Sequence, residues 1–423
     1  MYRKTVLTNG LRIVTHDMKD RDSVAIGLWI GVGGRYEDDQ NKGAAHFLEH
    51  IAFKGSRKYS CDEIKIQIEG VGGNLNAFTS EEQTCYYAKI PAKCLNKTFD
   101  ILADMVLYPL ILKSDVQKES TVILEEIKMY HDIPQYFVLE LLDDLMWPNH
   151  PLGKNLAGTP ESVSHMTHAD LKKFHQRHYF AGNTVVAACG QLNHQEFVEL
   201  VRKKMGELSS KKPELFLSAD NSQGRPKGKF FRKEVEQMHV ALAMLGLNDD
   251  HKDKYALGLL NVILGGNMSS RLFDEVREKR GLAYSISSST KSLNDTGVFL
   301  IRAGVDNNKL VGAMEVILKE LEKIKRKDVL QGEFTRAKDY FLGQLLLGLE
   351  DTLDHMLWLG EATISLDKVR TLKDIIKEVN RITIPDIRRV ANAILKDDHY
   401  SLAIVGPLTD KQEKELRTML RVN

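Results

Sequence analysis

Two stretches of this 423-residue chain, about half its length apart, can be laid on one another without a gap. LKKFHQRHYFAGNTVVAACGQL (Leu171 to Leu192) matches IRRVANAILKDDHYSLAIVGPL (Ile387 to Leu408) at a constant offset of 216 residues. Each reads as a helix, a loop, a buried strand and a glycine (Gly190, Gly406), followed by a polar segment and another helix. A helix-to-strand unit repeated at half the chain length is what duplication of one α+β unit leaves behind. The repeat restricts the chain to two related domains. Its size asks for the same, since one hydrophobic core rarely serves a chain this long.

The rest of the pattern fits that division. VLTNGL sets Asn9-Gly10 between apolar runs, a hairpin signal. Val24 to Gly33 reads as a buried strand, and GRYEDDQNKG as a polar loop. Residues 62–69, 97–109, 115–130 and 135–146 read as helices, and LNAFTSEEQTCYYAKI as extended structure. Near residue 210 the chain turns to SSKKPELFLSADNSQGRPKGKF, rich in charge, Ser, Gly and Pro and without a period. The expected organisation is a first domain over 1–210, a linker over 211–235 and a second domain over 236–423. The expected fold class is α+β, each domain an antiparallel-rich sheet with helices packed on one face.

Charge and composition exclude several roles. Fifty-nine basic and 58 acidic residues leave a net charge of +1, with no electrostatic footprint for nucleic acid or an anionic membrane. The richest apolar stretch, Phe341 to Leu349, is far shorter than the roughly 20 residues of a membrane span. Cys61, Cys85, Cys94 and Cys189 have no metal-knuckle or redox spacing and read as reduced thiols. With no apolar leader at the N-terminus, the expectation is a bacterial cytoplasmic protein, or an organellar matrix protein whose presequence has been removed.

The chemistry concentrates in His46-Phe47-Leu48-Glu49-His50. On a helix, i and i+4 share a face, so His46 and His50 can offer two imidazoles to one metal ion. Glu49, on the same side, is placed to act on a metal-bound water rather than to ligate. This H-x-x-E-H order is an inverzincin signature. The alternative, a solvated helix face, fits poorly with GAAHFLEHIAF, which is otherwise apolar. Catalytic zinc wants a third protein ligand. Ser114 to Tyr130 offers one: a helix with Ser114 as cap, Asp115 in its first turn, and an apolar stripe of Val116, Val122, Ile123, Ile127 and Tyr130. Glu119 and Glu126 fall on the buried side, while Lys118 and Glu125 point outward. One carboxylate would be the ligand and the other a partner to a histidine. A second histidine group, His165, His168, His175 and His178, is read as a solvated or helix-start segment, because Lys172, Lys173 and Arg177 would repel a cation.

HFLEH, followed 76 positions after His50 by the second glutamate of VILEEI, resembles the pitrilysin-type inverzincin metallopeptidases. The likeness is greatest to the mitochondrial processing peptidase β-subunit and its bacterial zinc protease relatives. It runs through LTNGLRIV, GGRYEDDQNKGAAHFLEHIAFKGS, GGNLNAFTSEEQTCYY, FHQRHYFAGNTVVAACG and RLFDEVREKRGLAYSISS. The resemblance implies the processing-peptidase and LuxS-like metallohydrolase fold. It implies one Zn²⁺ per chain held by His46, His50 and Glu126, Glu49 as general base, and Glu119 as a supporting glutamate. It implies a peptide substrate added as a β-strand along Asn76 and Ala77, and Phe53 lining the pocket just past the cleaved bond. Arg277 and Tyr284 match an arginine–tyrosine pair that reaches the substrate from the opposing half of a closed chamber.

The second half carries no metal motif, yet this chain holds both HFLEH and the Arg277/Tyr284 pair. A homodimer is therefore expected, each metal site facing the partner's second domain. The function expected is zinc-dependent endopeptidase activity on peptides or unfolded segments. The competing expectation is a catalytically idle peptide-binding or structural subunit of a larger complex, which the intact ligand set disfavours.

Overall fold

The computed structural model describes residues 2–422. The Asn9-Gly10 turn forms as read: β1 (Tyr2–Val6) folds back antiparallel on β2 (Arg12–Asp17), with Gly10 at φ +89. The sheet is completed by β3 (Ser23–Ile30), β4 (Asn74–Thr79), β5 (Thr84–Pro91) and β6 (Thr184–Gly190), in the order β1-β2-β6-β3-β5-β4. Every neighbouring pair is antiparallel except β2–β6. β4 is an edge strand, bonded only to β5.

One face of this sheet carries α1 (Ala44–Ala52), α2 (Cys61–Glu69), α3 (Leu95–Leu107) and α4 (Lys113–Asp132). Ile26, Leu28 and Ile30 of β3 meet Phe47, Leu48 and Ile51 of α1, Ile64 and Ile68 of α2, Phe99 and Leu102 of α3, and Ile123 of α4 in one core. The other face is not bare, as a one-sided layer would leave it. Val14, Ala25, Trp29, Val185 and Ala187 are covered there by Met356 and Leu359 of the helix Thr352–Leu366. This explains why β3 is buried along almost its whole length rather than on alternate residues.

The second sheet contains β7 (Lys227–Arg232), β8 (Gln237–Leu245), β9 (Ala283–Ser292), β10 (Gly297–Asp306) and β11 (Ser401–Gly406), ordered β7-β11-β8-β10-β9. Only β7–β11 is parallel. With β1 set aside, the two sheets share strand order and pairing sense, as a duplicated α+β unit requires. β7 lies inside the stretch read as a linker; a polar, Gly- and Lys-containing strand gives little period-2 signal. One face of this sheet packs α5 (Pro134–Met146) through Phe137, Val138, Leu141 and Leu142 against Ala241, Ala243, Ala403 and Val405.

The chain divides into two units, residues 2–128 with Asn155–Leu217 and Leu346–Thr371, and residues 129–154 with Ser218–Leu345 and 372–422. Each sheet thus takes one covering helix from the other half of the sequence. Two local expectations are corrected. Ser114 does not cap α4: the Val116 N–H donates to the Leu112 carbonyl at 3.0 Å, which puts Ser114 within the first turn. Val122 is half exposed, because the buried stripe of α4 is Val116, Glu119, Ile123 and Ile127.

Candidate metal centre

α1 buries Ala44, Ala45, Phe47, Leu48, Ile51 and Ala52, which leaves His46, Glu49 and His50 on its remaining face. α4 crosses beside that face with Glu119 and Glu126. One ligand atom each from His46, His50 and Glu126 lie within 4.8 Å of one another, the one group of at least three His, Cys, Asp or Glu side chains among the described residues able to hold a metal. The Glu126 carboxylate is 3.8 Å from Nε2 of His46 and 3.6 Å from Nε2 of His50. These contacts are too long for hydrogen bonds. They are about what two ligands show when each sits roughly 2.0–2.1 Å from a shared zinc ion.

The protonation state of His46 agrees with that fit. Burial, helped by the neighbouring His50, lowers the His46 pKa to about 4, so its imidazole is neutral at pH 7, the form that ligates. His50 presents Nδ1 to Glu119 Oε2 at 3.1 Å, which leaves Nε2 directed at Glu126. Glu119 is itself buried and holds Lys54 Nζ at 2.5 Å through its other oxygen. Nδ1 of His46 is buried without a hydrogen-bond partner. Two imidazoles and a carboxylate that converge at distances too long for hydrogen bonds are a donor set for a divalent ion with an open fourth position.

Glu49 points elsewhere. Its Oε2 accepts from the Thr79 hydroxyl at 2.6 Å. Burial raises its pKa while that bond and nearby His50 oppose the rise. A carboxylate tuned upward beside a metal position has the character of a proton acceptor. Thr79 ends β4 and was not visible in the sequence as a site residue; nor was Lys54. Asn76, on the same strand, is exposed and folds its Oδ1 back onto the Ala77 N–H at 2.8 Å. Phe53 caps the C-terminus of α1 and is half-buried against the core. Glu125 pairs with Lys128 in solvent.

Arg277 and Tyr284 belong to the second unit. Arg277 sits in a π-helical segment, Phe273–Glu278, its guanidinium 4.7 Å from the Phe273 ring and 5.8 Å from the Tyr284 ring. Tyr284 is 75% exposed. Of the histidines at 165–178, His165 is exposed and His168 opens a helix, as read, but the other two are not solvated: His175 Nε2–H donates to the Val106 carbonyl at 2.8 Å and His178 is buried. None of them joins a metal-binding cluster among the described residues.

An H-x-x-E-H helix facing a distant glutamate, on a duplicated α+β scaffold, defines a metallohydrolase of the inverzincin class. Comparison with known proteins narrows the class. Residues 12–160 match the family described as "Insulinase (Peptidase family M16)", and residues 165–341 match "Peptidase M16 inactive domain". A protein of Streptomyces coelicolor named an uncharacterized zinc protease is 37% identical over 98% of this chain and 91% of its own length. The uncharacterized zinc protease YmxG of Bacillus subtilis is 36% identical over 96% of this chain and 98% of its own. The crystal structure of a protease from Helicobacter pylori superposes with a TM-score of 0.90 at 26% identity, covering 96% of this chain and 99% of that one. The chain belongs to the M16 family of pitrilysin-type zinc peptidases. The "inactive domain" description falls on the half without metal ligands. Among the described residues, no helix is long and apolar enough to cross a membrane.

Proposed function

We propose that this chain is a zinc-dependent endopeptidase that cleaves peptides or unfolded segments. The observation that carries this reading is the convergence of His46, His50 and Glu126 beside a half-buried, hydrogen-bonded Glu49. A bound zinc ion supplies a Lewis acid that acidifies water and polarises a carbonyl. Glu49 takes the proton of the attacking water and returns it to the leaving amine. Thr79 holds Glu49 while it is unprotonated. Glu119 orients His50, and Lys54 pairs with the other oxygen of Glu119.

The substrate docks as an added strand on β4. In support, β4 is a sheet edge, Asn76 and Ala77 lie on it, and Thr79 joins it to the base. Phe53 lines the pocket past the cleaved bond. The active assembly is a homodimer in which the partner's Arg277 and Tyr284 reach the substrate; both side chains have the exposure and chemistry to bind carbonyls or an oxyanion.

The test is wild type beside Glu49→Gln, with metal content and cleavage of a quenched-fluorescent peptide measured together. Both should hold about one zinc per chain, and only wild type should cleave. Zinc in both with no cleavage by either would favour the idle-subunit reading. Mixing His46→Ala with Arg277→Ala chains should restore activity if sites are shared between subunits; no recovery argues for self-contained chains.

A further inference from the structure

The helix that carries His46, Glu49 and His50 has no side-chain cap of its own. Its N-cap is Gly43, at φ +92, where a Cβ would lie 2.6 Å from the Ala157 carbonyl oxygen, so no capping side chain fits at that position. The free N–H groups of the first turn are met from outside. Glu37, in the preceding loop, accepts from the Gly43 N–H through Oε2 at 3.0 Å and from the Ala45 N–H through Oε1 at 2.8 Å. Lys42 Nζ sits 3.1 Å from the same Oε2, and neither side chain is more than 3% exposed. Lys42 also donates to the Gly34 carbonyl at 2.8 Å. A carboxylate here satisfies two orphan donors and faces the positive end of the helix dipole. A buried ion pair is weak as a source of stability, so its commitment to a nine-residue helix calls for another reason.

The same segment grips the hairpin that ends at Thr79. The Gly34 N–H donates to the Ser80 carbonyl at 3.1 Å and the Arg35 N–H to the Glu81 carbonyl at 2.7 Å. Arg35 Nη1 donates to Glu82 Oε1 at 2.6 Å. A Cβ on Gly33 would fall 2.1 Å from the Ser80 oxygen, so the hairpin and the segment are in direct backbone contact. Residues 33–35 thus hold β4–β5, and Glu37 holds α1. The two arms meet again in the Thr79–Glu49 bond.

We propose that Glu37 is a positioning residue for the metal-binding helix. It sets the rotation and axial register of α1, and with them the aim of His46 and His50 at Glu126 and of Glu49 at Thr79. This rests on the peptidase reading above. Displacement of about 1 Å at a reacting group costs on the order of 10²-fold in rate.

The test uses Co²⁺ as a visible probe of the ligand field in the metal-free full-length protein. Wild type, Glu37→Gln and Glu37→Gln/Lys42→Met are compared; the double variant removes both charges of the buried pair, so it decides the matter if the single variant does not fold. Expected is a Co²⁺ affinity lowered at least about tenfold, a changed visible band, and a reduced kcat with KM near the wild-type value, since β4 keeps its edge. A variant that melts earlier yet keeps wild-type Co²⁺ affinity and band overturns the proposal, because a cap that only stabilises the helix would behave so. A wild type that neither binds Co²⁺ nor cleaves removes the peptidase reading and this proposal with it. A wild type that binds but does not cleave removes only the activity, and the Co²⁺ comparison still decides.

Discussion

α1 and the helix Lys254–Leu264 follow the central strands β3 and β8 of two sheets with the same strand order, yet they are built for different ends. The second, KYALGLLNVIL, buries Ala256, Leu257, Leu259, Leu260, Val262, Ile263 and Leu264 and holds no His, Asp or Glu. The carboxylate at its N-cap, Asp253, makes no capping bond and is clamped by Arg389 through two contacts of 2.7 Å. α1 instead turns His46, Glu49 and His50 toward a carboxylate on α4, and Glu37 caps it from a separate loop. One architecture accepts either helix. The polar triplet is therefore not something the scaffold needs in order to fold, and a local departure from core patterning of this kind marks chemistry.

The largest effect should come from making α1 like its counterpart. His46→Leu/His50→Leu should abolish metal binding and cleavage while the metal-free protein melts at or above the wild-type temperature, read by metal analysis and calorimetry. A marked fall in that melting temperature would mean that the histidines hold the fold, and the contrast between the two helices would lose its meaning. Next is Glu119→Gln, which leaves the three ligands in place but weakens the hold on His50. It should reduce zinc affinity roughly 10–100-fold, measured by chelator competition; unchanged affinity would make Glu119 a packing residue.

The exchanged helix of the first unit offers a comparison by stability alone. A Cβ on Gly360 would lie 2.0 Å from the buried Trp29 Nε1, whereas one on Gly343 meets nothing within 4 Å. Gly360→Ala should destabilise by about 3 kcal/mol, and Gly343→Ala should stabilise by about 0.5–1 kcal/mol, both from denaturant melts. Equal effects would contradict the close helix-to-strand approach.

Acid should separate the two units more gently. In the first, burial lowers His16 and His178 to about pKa 4; for His16 the adjacent His355 adds to the effect. The unfolded chain binds these protons near its ordinary value of about 6.5 and the folded chain does not. Their contribution is whole above that pH and is lost as pH falls toward 4, by at most about 1.4 kcal/mol per unit for His178 and by less for His16, whose partial exposure lets water screen its charge. Hydrogen exchange at pH 7 and 5 should show β2 and the helix His168–His178 losing protection ahead of β10, which carries no histidine; β8 is left out of the comparison because burial also lowers the pKa of its His239. Uniform loss would remove the distinction.

Much of this was written along the chain. Spacing of i and i+4 puts His46 and His50 on one helical face wherever that helix packs, and the seven-residue step from Glu119 to Glu126 does the same for α4. The duplication was legible because strand and helix periods survive in sequence. Val122 and the Ser114 cap were misread because a period locates a face only to within a residue or so. The tertiary structure alone decided which distant group completes each pair: Thr79 with Glu49 across 30 residues, Glu119 with His50 across 69, and Glu37 with the first turn of α1. It alone assigned Thr352–Leu366 to the first sheet and α5 to the second. Periodicity reports that a face is apolar or a group is misplaced, because that depends on neighbours along the chain. Which element covers the face, or which donor meets the group, depends on how loops return through space.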